Sequence, residues 1–291
     1  MLIYLNGQII PSEKAVISIF DHGFLYGDGI YETMRSYNGV VFKIEEHIKR
    51  LQKSASLISL SLPFSEEILK RDIYETLHAN SLLNAYIRIT ISRGKGDIGI
   101  DPELCKKPTI VIITKEFNGY PERLYKEGIK LIIAKTRRNH KNALNPQIKS
   151  LNFLNNILAK IEAKKEGAYE ALMLNVYGKI AEGTISNVFF IKDNTIMTPS
   201  TKCGILNGIT RQTVIEMIKK ENLNLKQGFY TKEDIYSADE VFITNTTMEI
   251  MPVSMIDKKK YKVGKYTNKL RKLYKKEVEL YIDQHTTYNI N

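Results

Sequence analysis

Only two cysteines, Cys105 and Cys203, occur in 291 residues, and they stand far apart. A disulfide framework or a zinc cluster needs more sulfur than that, which points to a reducing, cytoplasmic setting. Five scattered histidines (His22, His47, His78, His140, His285) show no metal-ligand spacing, so no metal is expected. No run of about eighteen apolar residues occurs, and no membrane span is expected. Met1 to Gly7 has no basic stretch followed by an apolar one and does not read as a signal peptide. No helix-turn-helix, zinc-finger or aromatic RNA-binding signature is found. The 43 Lys and Arg against 32 Asp and Glu, net +11, are therefore not read as nucleic-acid binding. Much of the excess lies in residues 258–276, read as a solvated segment and a basic amphipathic helix. Its field attracts anionic small molecules.

What is present is the composition of an ordinary globular protein, 43% hydrophobic and 26% charged. The length favours two domains or one large one. Asn6-Gly7 and Asn38-Gly39, each between apolar runs, predict two hairpins. Ile44, Ile48, Leu51 and Ala55 recur on one helical face, and a second helix is expected over 65–80. Strands are expected at Ala85 to Ser92 and Thr109 to Thr114, which makes residues 1–117 an α+β domain. Asn118-Gly119 and Pro121 mark a linker over 118–128. A second α+β domain follows over 129–284, with a frayed tail over 285–291. In it a helix is expected over 151–165, on the apolar stripe Leu151, Leu154, Leu158 and Ile161. Strands are expected near 170–175, 187–191, 195–197 and 240–244, and helices over 210–220 and 266–283.

Four stretches hold residue types suited to chemistry. Lys149 sits where an extended segment meets the helix expected from Ser150, whose dipole would disfavour an ammonium. By spacing alone it is equally one more surface lysine. Glu182, in Glu182-Gly183-Thr184-Ile185-Ser186-Asn187, suits a ligand-facing turn or a plain exposed one. Gly204 to Arg211 runs a glycine-rich loop into a helix, a start that binds anions in some proteins and nothing in others. Thr244-Asn245-Thr246-Thr247 either contacts phosphate or closes a turn.

Taken in order, these blocks carry a resemblance. Asp21-His22-Gly23-Phe24-Leu25-Tyr26-Gly27-Asp28-Gly29, Tyr31-Glu32-Thr33-Met34-Arg35, His47-Ile48-Lys49-Arg50-Leu51, Lys149-Ser150-Leu151-Asn152, Ala181-Glu182-Gly183-Thr184, Gly208-Ile209-Thr210-Arg211 and Glu249-Ile250-Met251-Pro252 are the seven. Over about residues 2–283 the chain resembles the class IV (fold type IV) pyridoxal-phosphate enzymes. These are the branched-chain aminotransferases, D-amino-acid aminotransferases and aminodeoxychorismate lyases.

The resemblance implies a two-domain α+β fold with pyridoxal 5'-phosphate in the interdomain cleft, in a homodimer. Lys149 falls on the Schiff-base lysine. Glu182 falls on the acid that faces the pyridine nitrogen. Arg50, Ile209, Thr210 and Thr246 fall on contacts to the cofactor phosphate. Tyr26, Tyr31, Thr33, Arg35 and Thr247 fall on the substrate side, and His47 is read as structural. The reaction implied moves an amino group between an amino acid, of branched-chain type, and a 2-oxo acid. Arg93-Gly94-Lys95-Gly96 and Lys149-Ser150-Leu151-Asn152 favour that reading. Thr33 and Phe153 depart from the branched-chain pattern toward the lyases, which make 4-aminobenzoate and pyruvate. Ile98 and Ile100 stand where the D-amino-acid enzymes carry an Arg-x-His pair, although Thr246-Thr247 resembles that subtype.

Overall fold

The computed structural model describes residues 1–286, and the chain separates into two compact units. The first comprises Met1–Asn118, Ile148–Phe153 and the described residues from Leu280; the second comprises Gly119–Gln147 and Leu154–Glu279. A single crossing at 118–128 was expected. The excursion Ile148–Phe153 instead assigns Lys149 to the first unit.

In the first unit, β1 (Leu2–Leu5) and β2 (Gln8–Pro11) pair across Asn6-Gly7. Both turn residues have positive φ, as an Asn-Gly hairpin requires. Helix α1 (His22–Tyr26) precedes β3 (Gly29–Tyr37), which turns back through Asn38-Gly39 into β4 (Val40–Val41). Two helices, α2 (Ile44–Leu57) and α3 (Glu66–Ala79), lead to β5 (Ala85–Ser92) and β6 (Thr109–Glu116). The sheet order is β2-β1-β6-β5-β3-β4. Period-two alternation divides its faces. Ile87, Ile89 and Ile91 of β5 pack with Ile48, Leu51, Leu69 and Ile73 of the helices. Tyr86, Arg88 and Thr90 occupy the opposite, half-buried face, beside Arg35, Thr33 and Tyr31 of β3.

The second unit opens with α4 (Glu122–Glu127), inside the expected linker, and β7 (Ile129–Ile133). Then come α5 (Leu154–Lys165), β8 (Glu170–Leu174), β9 (Ile180–Gly183), β10 (Asn187–Lys192) and β11 (Thr195–Pro199). Helix α6 (Ile209–Lys220), β12 (Leu225–Gly228), α7 (Lys232–Tyr236), β13 (Glu240–Asn245), β14 (Glu249–Ile256), β15 (Lys259–Lys260) and α8 (Lys265–His285) complete it. The order is β12-β11-β10-β13-β14-β7-β8-β9, with β15 on β14. Phe189, Phe190 and Phe242 are fully buried in adjacent strands β10 and β13.

Three expectations need correction. Ser150 caps no helix: it bridges Ile30, while Tyr31 N–H donates to the Lys149 carbonyl and Leu151 N–H to that of Gly29. Residues 149–151 are therefore extended along β3, and α5 starts at Leu154. The stripe on α5 also faces outward. Leu154, Ile157, Leu158 and Ile161 are 63, 48, 47 and 45% exposed, whereas Ala159 and Ala163 are buried with Ile132, Ala171 and Met173. Small side chains let the helix lie close on the sheet, so its large apolar residues point away. Glu182 lies in β9 and is buried, not in an exposed turn. The tail expected from 285 falls mainly outside the described residues, although His285 itself ends α8. Among the described residues no helix is long and apolar enough to cross a membrane.

Candidate active site

In the first unit the lysine segment meets the half-buried face of the sheet. Lys149 N–H donates to Ser54 Oγ of α2 at 3.2 Å, which ties the segment down. Its Nζ lies 4.2 Å from the centre of the Tyr31 ring, and the Arg88 guanidinium lies 4.1 Å from the same ring. Phe153 meets Tyr31 edge to face at 5.7 Å. Two cations on one aromatic ring, with no acid paired to Lys149 among the described residues, make an electropositive surface. It suits a carboxylate-bearing ligand. Arg88 was missed in the sequence. The signal was there in Tyr86-Ile87-Arg88-Ile89-Thr90, where a cation alternates with core isoleucines.

The other face of β3 carries a buried acid. Glu32 stands between Ile30 and Met34 on the face that packs the helices, and it is fully buried. Arg50 of α2 grips it twice, Nε to Oε1 at 2.6 Å and Nη2 to Oε2 at 2.8 Å. His47 Nδ1 lies 2.9 Å from Oε2, so the neutral ring carries its proton there and donates. Burial alone would raise the Glu32 pKa. The charge and hydrogen bonds of Arg50, with those of His47, outweigh it and hold the carboxyl well below its usual range. Burial lowers the His47 pKa, and with the charges of Arg50 and Lys149 it outweighs the pull of Glu32. Arg50 was expected to spend its paired donors on phosphate, but two of them orient it on Glu32. His47 is part of that support, as its structural reading implies.

In the second unit Glu182 is a hub. Its Oε1 accepts from Arg138 Nε at 2.8 Å. Its Oε2 accepts from Leu206 N–H at 2.9 Å and Asn187 Nδ2 at 3.3 Å. Glu170 braces the turn beyond it: Oε1 accepts from Thr184 N–H and Oγ1, and Oε2 from Ser186 Oγ. Leu206 belongs to the loop that ends at Gly208, the residue before α6. That helix has no side-chain cap and no acid in its first turn. Its leading amides, near half-buried Ile209 and buried Thr210, are a candidate anion site. Buried Arg211 ties the same loop to Asn207 Oδ1, the Pro199 carbonyl and Gln227 Oε1. With no carboxylate bonded to it, its pKa falls to about 10 through burial.

The remaining candidates fall in both units. Tyr26, at the end of α1, accepts from Gly99 N–H through its hydroxyl. Thr33 is half-buried opposite Arg88, and Arg35 lies over Tyr37 and Phe117. Thr246 and Thr247 form the turn after β13, where Asn245 Oδ1 accepts from Thr247 N–H and Met248 N–H. Ile98 and Ile100 are 77 and 87% exposed.

A phosphorylated pyridine aldehyde requires an amine, an anion-binding helix start and an acid held as an anion. Among the described residues the chain offers a candidate for each: Lys149, the uncapped start of α6, and Glu182 bonded to Arg138. The class IV amino-transferase family matches residues 29–256. The chain is 44% identical over 278 residues to a protein of Methanocaldococcus jannaschii named "Putative branched-chain-amino-acid aminotransferase", covering 94% of this chain and 96% of that one. It is 38% identical to an aminodeoxychorismate lyase of Bacillus subtilis, covering 96% and 95%. The crystal structure of a T.th. branched-chain amino acid aminotransferase with pyridoxamine 5'-phosphate superposes with a TM-score of 0.91 at 33% identity, covering 95% and 93%. The fold, the matched family and these relatives agree: the chain belongs to the class IV aminotransferases and is a pyridoxal-phosphate-dependent enzyme.

Proposed function

We propose that this enzyme is a transaminase that exchanges the amino group of a branched-chain amino acid with a 2-oxo acid. The carrying observation is the pairing of Lys149 and Arg88 on the Tyr31 ring, an amine and a carboxylate receptor within one residue's span. The chemistry supplied by bound pyridoxal phosphate is an electron sink for the pair left at the substrate Cα. Lys149 Nζ would hold the cofactor and would move the proton at the substrate Cα. Glu182, paired with Arg138, would face the pyridine nitrogen and hold a proton there. Arg50, fixed in direction by Glu32, would offer phosphate contacts from the first unit, and Ile209, Thr210 and Thr246 from the second. Arg88 orients the substrate carboxylate, with Tyr26, Tyr31, Thr33, Arg35 and Thr247 shaping the surroundings. Apolar Ile98 and Ile100 offer no carboxylate contact of the D-amino-acid kind.

We further read the enzyme as a cytoplasmic homodimer. The outward Leu154, Ile157, Leu158 and Ile161 face supports a second copy, and the free cysteines suit a reducing compartment. A second reading, the aminodeoxychorismate lyase, is favoured by Thr33, which lies opposite Arg88 where branched-chain enzymes place glycine. One assay separates them. L-Leu, L-Glu, D-Ala and D-Glu are offered with 2-oxoglutarate or pyruvate, and aminodeoxychorismate is followed for 4-aminobenzoate. L-Leu turnover with 2-oxoglutarate is expected. Aromatic product with no amino transfer would establish the lyase. Borohydride reduction should leave the pyridoxyl group on the Lys149 peptide; an adduct on Lys160 or Lys164 would remove the assignment.

A further inference from the structure

We propose that Asn187 is a positioning residue that latches the loop before α6 onto Glu182, so that the phosphate end and the ring-nitrogen end of the cofactor site form one rigid piece. This rests on the reading above, in which Glu182 meets the ring nitrogen and the start of α6 meets the phosphate. Asn187 opens β10, is 5% exposed, and pairs with Thr244 of β13. Its Nδ2 faces two acceptors, Glu182 Oε2 at 3.3 Å and the Leu206 carbonyl at 3.0 Å. Only an amide NH2 satisfies both at once, which fixes the orientation of the side chain. Leu206 returns a bond of its own, N–H to the same Glu182 oxygen at 2.9 Å. Carboxylate, amide and loop backbone thus close a ring.

The other end of the amide reaches further. A Cβ on Gly208 would come within 2.2 Å of Asn187 Oδ1. The residue just before α6 is therefore glycine because Asn187 lies against it. A strand residue thereby sets the first turn of the helix through the loop, and Glu182 cannot shift without carrying Leu206 along. A neutral amide also lets two acceptors approach without repulsion. The charged groups near it are Glu182 of β9, Glu170 of β8, Arg138 after β7 and Arg211 of α6.

The test is cofactor retention by the full-length holoenzyme across pH 5.5 to 9, for pyridoxal phosphate and for pyridoxal. Asn187→Asp places a carboxylate against Glu182 and the Leu206 carbonyl. Retention of pyridoxal phosphate should fall about 10–100-fold at pH 8, the loss of one or two well-made buried hydrogen bonds. It should recover toward acid pH, where one proton bridges the two carboxylates. Pyridoxal, which lacks the phosphate, should be affected much less. Asn187→Ala should weaken retention without the pH step. An Asn187→Asp protein with wild-type retention at every pH overturns the latch. So does an Asn187→Ala protein that loses melting temperature but keeps the wild-type ratio between the two ligands. Glu182→Gln in the same titration separates the two levels. A changed visible spectrum there, beside an unaffected Asn187→Asp, overturns the latch alone. Wild-type spectrum and retention in Glu182→Gln overturn the cofactor assignment, and the latch with it.

Discussion

Glu32 shows how one residue can decide the behaviour of its neighbours. It is a carboxylate in an otherwise apolar row, tolerable because Arg50 and His47 satisfy it. Removing one partner of such a pair strands the other charge. Arg50→Ala should therefore cost about 3–5 kcal/mol of stability in urea unfolding, besides lost cofactor affinity. Arg50→Lys should recover only part, since an ammonium cannot make the two parallel bonds. His47 adds a pH dependence. Its folded pKa lies below the ordinary 6.5, so the unfolded chain takes up a proton first. Its contribution is fully present above about pH 6.5 and is lost as pH falls through the folded value. Urea midpoints should be level near neutrality and decline below pH 6.5, and His47→Gln should remove that first decline. A midpoint in the wild type that holds steady from pH 7 to pH 5 would contradict it.

At the scale of elements, α8 shows a cap supplied from another part of the chain. Glu240 of β13 accepts from Tyr266 N–H, Thr267 N–H and Thr267 Oγ1, at the first turn of the helix. Gly264 permits the approach, because a Cβ there would stand 2.1 Å from Glu240 Oε1. Glu240→Ala should cost about 2–4 kcal/mol, a lost cap plus stranded buried donors, and hydrogen exchange should quicken first in that turn. No local pattern announces such a cap, although both hairpins and helices α2 and α3 were legible from turn chemistry and period. Pro252 stands in β14, between β13 and β7, where a proline normally argues against an interior strand. The α5 stripe was legible as a stripe, but hydrophobicity does not say which face a sheet lined with alanine will accept. Of the proposed site, Lys149, Glu182 and Arg50 are named by ordered blocks in the sequence. Arg88, Arg138 and Asn187 are not, because their meaning depends on cross-strand and loop partners far away in sequence.

For the whole molecule, the proposed homodimer would cover the exposed α5 face. Leu158 is 47% exposed in the single chain, so Leu158→Lys should change its folding stability by no more than about 0.5 kcal/mol. Against a second copy the same change buries an unpaired charge. Sedimentation should then give the 33.4 kDa chain where the wild type gives twice that mass. A Leu158→Lys protein that stays dimeric would show that α5 lies outside the contact. The excursion Ile148–Phe153 bears on the molecule's history as well. A gene cut at Asn118 would keep all six strands of the first sheet and discard the lysine that lies along β3. The first unit cannot be inherited, shuffled or fused elsewhere as a continuous stretch of sequence and still bring its amine. Recombination between residues 118 and 148 parts the sheet from the lysine proposed to hold the cofactor, and on that reading the two units descend together.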